Sequence, residues 1–166
     1  NLSNSILRIC SFCFAAVTML GFSTPVSAST TVSFTNNTGA TIADDSYNGT
    51  LGSMASSSVT VSGIPSGAVI TNIKVIVSMN HTWVGDLVLK LESPDLAVLG
   101  LMSRSGYGES ADDGTGGAGL ADNLVSGSPV SFYDNGFYDA EYMGGTSDAN
   151  NICEDDAQCD FYPNPD

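Results

Sequence analysis

Positive charge is scarce in this sequence. Its 166 residues include 4 Lys and Arg in total against 18 Asp and Glu, which gives a formal net charge of -14 at pH 7. A chain this acidic repels phosphate backbones and anionic lipid headgroups. We therefore expect neither nucleic acid nor a membrane surface among the partners of the folded protein.

Charged side chains of either sign are few, at 13% of the chain, while hydrophobic residues make up 42%. That hydrophobic share is enough for a packed core, and the length suits one domain plus a short extension. The polar positions are mainly Ser, Thr, Asn and Gly, which favour strands and turns over surface helices. The composition excludes a helical bundle and favours an all-β protein.

Catalytic side chains are scarce too. His81 is the single histidine, so it is the only candidate base for a serine-peptidase triad, which needs a carboxylate and a nucleophile beside its imidazole. The sequence offers no credible nucleophile to accompany His81. A glycosidase requires two acids that face each other across a cleft, and the sequence does not identify such a pair. We expect no enzymatic activity from this chain by itself.

Residues 1–28 are predicted to be a secretory signal peptide. A polar stretch with one positive charge precedes an apolar run over residues 9–22, and Val26 and Ala28 occupy the positions read by signal peptidase. The run is too short to span a bilayer comfortably. We expect cleavage after Ala28, a mature domain over residues 29–166, and an extracellular or periplasmic location without membrane attachment.

Export also decides how the four cysteines are interpreted. Cys10 and Cys13 leave with the signal peptide, so the mature chain keeps Cys153 and Cys159. An even pair in an oxidising compartment, separated by a short loop-rich segment, predicts a disulfide. Closing so short a loop contributes about 2 kcal/mol in the chain-entropy model.

Alternation of apolar and polar residues predicts short antiparallel strands in the mature chain. Residues 72–81 and 86–92 alternate most clearly, and the short link between them predicts a hairpin. Further strands are expected over 96–102 and 130–133, and shorter alternations occur at Val32 and Phe34 and at Val59 and Val61. Residues 103–128 and 144–166 are expected to be loops. Several short strands with frequent turns favour a β-sandwich or jelly roll.

The hairpin region carries a motif with a resemblance to a known family. A strand ends in His81 and Thr82, an aromatic residue follows, then a Gly-Asp-Leu triplet and an apolar strand closed by Ser-Pro; the remaining residues are Trp83, Gly85, Asp86, Leu87, Ser93 and Pro94. This order resembles the P domain, or Homo B domain, which follows the subtilisin-like catalytic domain of proprotein convertases of the furin and kexin type and of bacterial secreted peptidases. The resemblance covers roughly residues 31–134.

The resemblance implies a fold and a function. The fold would be a jelly-roll β-sandwich of the galactose-binding-like type, and the domain would be non-catalytic. In the family it packs on a subtilisin-like catalytic domain and supports its folding and stability, so this chain would be accessory to serine endopeptidase activity. The closing portion of the family pattern has no counterpart here, so we expect the sandwich to be incomplete at its C-terminus. The alternative is a stand-alone extracellular module that binds a protein or a glycan.

Calcium is the one cofactor that the sequence suggests. Carboxylates crowd loops with few cations, and calcium prefers several oxygen ligands from adaptable loops. The candidate ligands are Asp44, Asp45, Asp86 and Asp134. Loops solvated by water are the other interpretation of the same acids. The other interpretation of Asp86 is structural: the side chains of His81 and Asp86 would form hydrogen bonds to each other or to loop amides and so fix the loop around Trp83.

Overall fold

A computed structural model describes residues 29–108, 119–145 and 149–164. The chain divides into two compact units, Asn1–Ser33 and Phe34–Asp166, and the strands of the described residues lie in the second. The predicted signal peptide lies outside the described residues. Within those residues, no helix has the length and apolar character needed to cross a membrane.

The second unit is built from strands. Its described residues form the strands β1 (Val75–Val77), β2 (Val88–Glu92), β3 (Val98–Ser103), β4 (Val130–Phe132), β5 (Tyr138–Asp139) and β6 (Asp160–Tyr162), and short 3-10 turns occupy Leu51–Ser53, Val84–Asp86 and Ala140–Tyr142. The described part of the chain contains no α-helix. The predicted all-β class is confirmed.

Four of the strands form one sheet in the order β1-β4-β6-β5. Strand β1 runs antiparallel to β4, with Val75 opposite Phe132. Strand β6 runs parallel to both of its neighbours, with Phe161 opposite Phe132 on one side and Tyr138 on the other. The alternation did not indicate the parallel pairing of β6. The loop expected over residues 144–166 was wrong, because this range contains β6.

Strands β2 and β3 form a separate antiparallel pair. A turn at Pro94 and Asp95 joins them, and the amide of Ser93 donates to the carbonyl of Ala97 at 2.8 Å. Leu89 and Leu91 pack against the core, as their alternation predicts. The predicted strands over 86–92 and 96–102 thus form with small shifts at their ends.

The predicted hairpin between residues 72–81 and 86–92 was wrong. The first segment pairs with β4 and the second with β3, so the link between them crosses from one sheet to the other. Trp83 turns the chain there with a positive φ of 70°, and the 3-10 turn at Val84–Asp86 follows it. The alternation identified which side chains point inward but not which strand lies alongside.

The alternations early in the mature chain do not form strands either. No strand is assigned between residues 29 and 74. Val32, Val59 and Val61 are about half exposed, at 54%, 49% and 62%. These residues alternate without a partner strand to cover their apolar side, and alternation alone does not supply one.

One core serves both sheets. The four-stranded sheet contributes Val130, Phe132 and Phe161, and the two-stranded sheet contributes Leu101 and Met102. After β6 the chain reaches the other sheet, where Asn164 forms a bridge with Met102 and its amide donates to the carbonyl of Leu101 at 3.3 Å. The last described segment therefore belongs to one sheet and is bonded to the other.

Candidate functional site

Most of the residues that carry the family resemblance form the link between β1 and β2, while Ser93 and Pro94 lie between β2 and β3. Val84 and Leu87 are buried, at 0% and 3% exposure, while Trp83 is 44% exposed. The amide of Val84 donates to the carbonyl of Asp122 at 2.7 Å, and the amide of Gly85 donates to the carbonyl of Leu120 at 2.9 Å. The link is therefore anchored by two apolar side chains and by hydrogen bonds to the segment around residue 121. Thr82, Asp86 and Pro94 are exposed.

Gly85 is required at its position by the close approach of a second backbone. A Cβ placed on Gly85 would lie 2.3 Å from the carbonyl carbon of Gly119 and 2.4 Å from the amide nitrogen of Leu120. Backbone atoms cannot yield as the end of a flexible side chain can. The glycine of the Gly-Asp-Leu triplet therefore has an architectural role.

The hydrogen bond predicted between His81 and Asp86 is not among the contacts of the described residues. The backbone of His81 pairs with Leu124 in both directions at 2.9 Å. Its Nδ1 atom is buried and has no hydrogen-bond partner among the described residues, while Asp86 is exposed. A buried polar atom left unpaired costs about 1–3 kcal/mol, so this imidazole nitrogen is an unusual feature of the site.

A cleft of about 380 Å³ adjoins the start of the link. Its volume lies within the range typical of small-molecule sites. Most of its lining residues carry an amide, hydroxyl or imidazole group, although the larger part of the surface they expose to it is apolar; the lining residues are Asn80, His81, Thr82, Asn123, Leu124, Val125 and Asn151. We refer to these residues as the Asn-rich cleft. Sequence reasoning missed this cleft, because its members come from three separate segments.

The four candidate calcium ligands lie in exposed turns. Asp44 and Asp45 share one turn, Asp86 ends the 3-10 turn of the link, and Asp134 lies in the turn after β4. Among the described residues, no group of three or more His, Cys, Asp and Glu side chains is arranged to hold a metal ion. The calcium site stays a prediction.

Cys153 and Cys159 form a disulfide with an S–S distance of 1.97 Å. The loop that it closes uses its own carboxylate as a hydrogen-bond acceptor: Asp156 Oδ1 accepts from the amides of Cys153 and Gln158, both at 2.9 Å. Next to it, the side chain of Asn151 donates to Glu154 at 2.9 Å. These acids stabilise the fold of their own loop.

Two further carboxylates join distant parts of the four-stranded sheet. Asp139 is partly buried, which raises its pKa, but hydrogen bonds from Tyr162, Asn164 and the amide of Glu141 outweigh this and hold the pKa below its usual value. A hydrogen bond from Ser131, together with Lys74, likewise lowers the pKa of Asp160. Both carboxylates stabilise the folded state above their unfolded pKa and lose that contribution as the pH falls through the folded one.

An apolar groove of about 240 Å³ lies where the two sheets face each other. Val75 and Phe132 line it from the four-stranded sheet, and Leu91, Leu99 and Leu101 line it from the two-stranded sheet. Leu99 is 50% exposed and Ile73, on the rim, is 53% exposed. The two sheets are therefore incompletely covered along this side.

Comparison with known proteins leaves the geometry to be interpreted by itself. No family model, no curated protein and no solved structure matches the chain.

The role of Gly85 can be tested against Gly52, which also lies in the middle of a 3-10 turn but has nothing within 4 Å of an added Cβ. Gly85→Ala forces two backbones apart, and overpacking of this kind costs about 1–3 kcal/mol or more. Gly52→Ala is expected to change the free energy of unfolding by less than about 1 kcal/mol. Urea unfolding followed by circular dichroism measures both. Equal effects of the two substitutions would contradict the close approach.

Proposed function

We propose that this protein is a secreted, non-catalytic domain of the P, or Homo B, type that is accessory to a subtilisin-like serine endopeptidase. In this role it packs on the catalytic domain and supports its folding and stability. The observation that carries the proposal is the structural use of the motif: the residues shared with the family form an anchored link that presents Trp83 at the surface.

The arrangement of the sheets supports a sandwich of the proposed galactose-binding-like, jelly-roll type. A single core receives side chains from both sheets, as layered β-domains require. The groove between Val75 and Leu99 marks the side where the layers are least covered, which accords with a sandwich that is incomplete there.

His81, the only candidate base in the sequence, has a structural role in the proposed non-catalytic domain, because its backbone is engaged in the bridge to Leu124.

Active-site labelling tests the accessory role. The mature chain, immobilised, is exposed to the secreted proteins of its own cells, and the captured fraction is treated with a fluorophosphonate probe and identified by mass spectrometry. We expect a subtilisin-class peptidase to be captured, and its half-life at elevated temperature to lengthen when the chain is added. Trp83→Ala should weaken capture, and Phe137→Ala, which removes another exposed aromatic side chain, should not.

Two results would contradict the accessory role. One is labelling of the purified chain itself by the probe, since that would make it a serine hydrolase. The other is a captured fraction without any subtilisin-class peptidase.

Calcium binding by Asp44, Asp45, Asp86 or Asp134 forms part of the proposal. At tenfold excess over Kd, a ligand that binds only the folded state stabilises it by about 1.4 kcal/mol, which raises Tm by a few degrees. Extracellular sites are often weak, so the melting curves require millimolar calcium. Asp86→Asn and Asp134→Asn should abolish the shift, and Asp95→Asn should keep it. Coincident melting curves with calcium and with chelator, at matched ionic strength, would contradict the prediction of a specific calcium site.

The second candidate function is a stand-alone extracellular module that binds a protein or a glycan. The Asn-rich cleft favours this candidate, because its neutral polar lining is suited to a ligand and has no place in the accessory role.

A further inference from the structure

We propose that the Asn-rich cleft binds a neutral sugar ring. This inference rests on the second candidate function, for which it names the ligand class, and it is independent of the accessory role, since it concerns residues other than the exposed Trp83 through which we test capture of a peptidase. Its basis is the chemistry of the lining residues and the fixed amides, together with a buried imidazole nitrogen of a lining residue that has no hydrogen-bond partner among the described residues.

The lining excludes several ligand classes. None of the described residues that line the cleft is an Asp, Glu, Lys or Arg, so a charged ligand would find no counter-charge there, and an anion would also meet the repulsion of a chain of net charge -14. A single imidazole without carboxylates is a poor metal site. A purely apolar ligand would leave the amides unpaired. A neutral, polar molecule fits best.

Each Asn side chain of the cleft uses one of its two polar atoms, Oδ1 or Nδ2, in a hydrogen bond within the protein. The other polar atom is left to bind a ligand. Oδ1 of Asn80 accepts from the amide of Ser126 at 2.8 Å, which leaves Nδ2 as a donor. Nδ2 of Asn123 donates to the carbonyl of Ala149 at 3.0 Å, and Nδ2 of Asn151 donates to Glu154 at 2.9 Å. Both therefore retain Oδ1 as an acceptor.

His81 supplies a polar atom that lacks a hydrogen-bond partner. Its Nδ1 atom is buried without a partner among the described residues, and such atoms in native structures call for an explanation. A rotation of the imidazole toward the cleft would let a ligand hydroxyl pair with this nitrogen. Sugar hydroxyls both donate and accept, so they match an imidazole, an amide donor and amide acceptors at once.

The apolar members suit the carbon face of a sugar ring. Val125 is partly exposed and provides apolar surface beside the polar groups, above the buried Leu124. The backbone bridges between His81 and Leu124 and between Asn123 and Asn151 hold these segments together. A site held in this way needs little ordering when it binds a ligand.

The same bridges disfavour an extended peptide. A peptide adds to a strand by pairing with free backbone groups at an edge. The backbone groups of His81 are paired with Leu124, and Asn123 bonds through its amide to Asn150 and through its carbonyl to Ile152. Recognition in this cleft therefore falls to side chains, which favours hydroxyl groups over a peptide backbone.

The test is a titration of the 15N-labelled mature chain with glucose, galactose, mannose and N-acetylglucosamine, followed by NMR. At least one sugar should shift the signals of Asn80, Thr82, Asn123 and Asn151 and saturate at millimolar concentration. Thr82→Val, at an exposed position, and His81→Phe should each weaken Kd about tenfold, a loss of about 1.4 kcal/mol. Asn135→Ala, an exposed Asn outside the cleft, should leave Kd unchanged.

The spectra of the variants show directly whether each is folded. If His81→Phe does not fold, Thr82→Val still tests the proposal. The proposal is overturned if no sugar in the set shifts these signals, or if Thr82→Val binds as tightly as the unaltered chain. It is also overturned if a blocked Gly-Ser-Gly peptide shifts the signals and the sugars do not.

Discussion

The fold depends on the insertion of β6 between β4 and β5. Phe161, the middle residue of this strand, has 0% exposure, and its ring lies 6.0 Å from those of Phe132 and Tyr138. The carbonyl of Phe161 accepts from the amide of Tyr133 at 3.0 Å, and Asn164, three residues later, bonds to the second sheet. Without this segment β5 would have no neighbour, and a major connection between the sheets would be lost. Local strand pairing thus depends on a contact made late in the chain.

The sequence predicted strands well where a pattern of apolar residues lies within the strand itself. The strands now seen as β2, β3 and β4 were expected within a few residues of their positions, β2 from alternating residues and β3 and β4 from short apolar stretches. Strand β6 was missed because Asp160, Phe161 and Tyr162 are too few to show a period. Its stability comes from neighbours more than twenty residues away, and these leave no local pattern.

The hairpin error has the same physical origin. A period of two shows which side chains face the core, but many strands could satisfy the same face. The deciding contacts are the burial of Val84 and Leu87 and the approach of Gly85 to Gly119, and the second of these is invisible without knowledge of the partner segment. The Asn-rich cleft was missed for this reason too, since Asn80, Asn123 and Asn151 meet only through backbone bridges. The link between β1 and β2 therefore connects the fold to the proposed function. It carries the chain from one sheet to the other, and it begins at His81 and Thr82, which line the Asn-rich cleft.

Replacement of Phe161 tests the central role of β6 most directly. Phe161→Ala empties the centre of the core, and substitutions of this kind cost about 3–5 kcal/mol. Phe137→Ala is the matched control, since Phe137 is 79% exposed and its removal should cost less than about 1 kcal/mol. Urea unfolding, followed both by circular dichroism and by the fluorescence of the single tryptophan, Trp83, should show one cooperative transition that is strongly weakened in Phe161→Ala. A loss no greater than that of Phe137→Ala, or two transitions that report the sheets separately, would contradict the account.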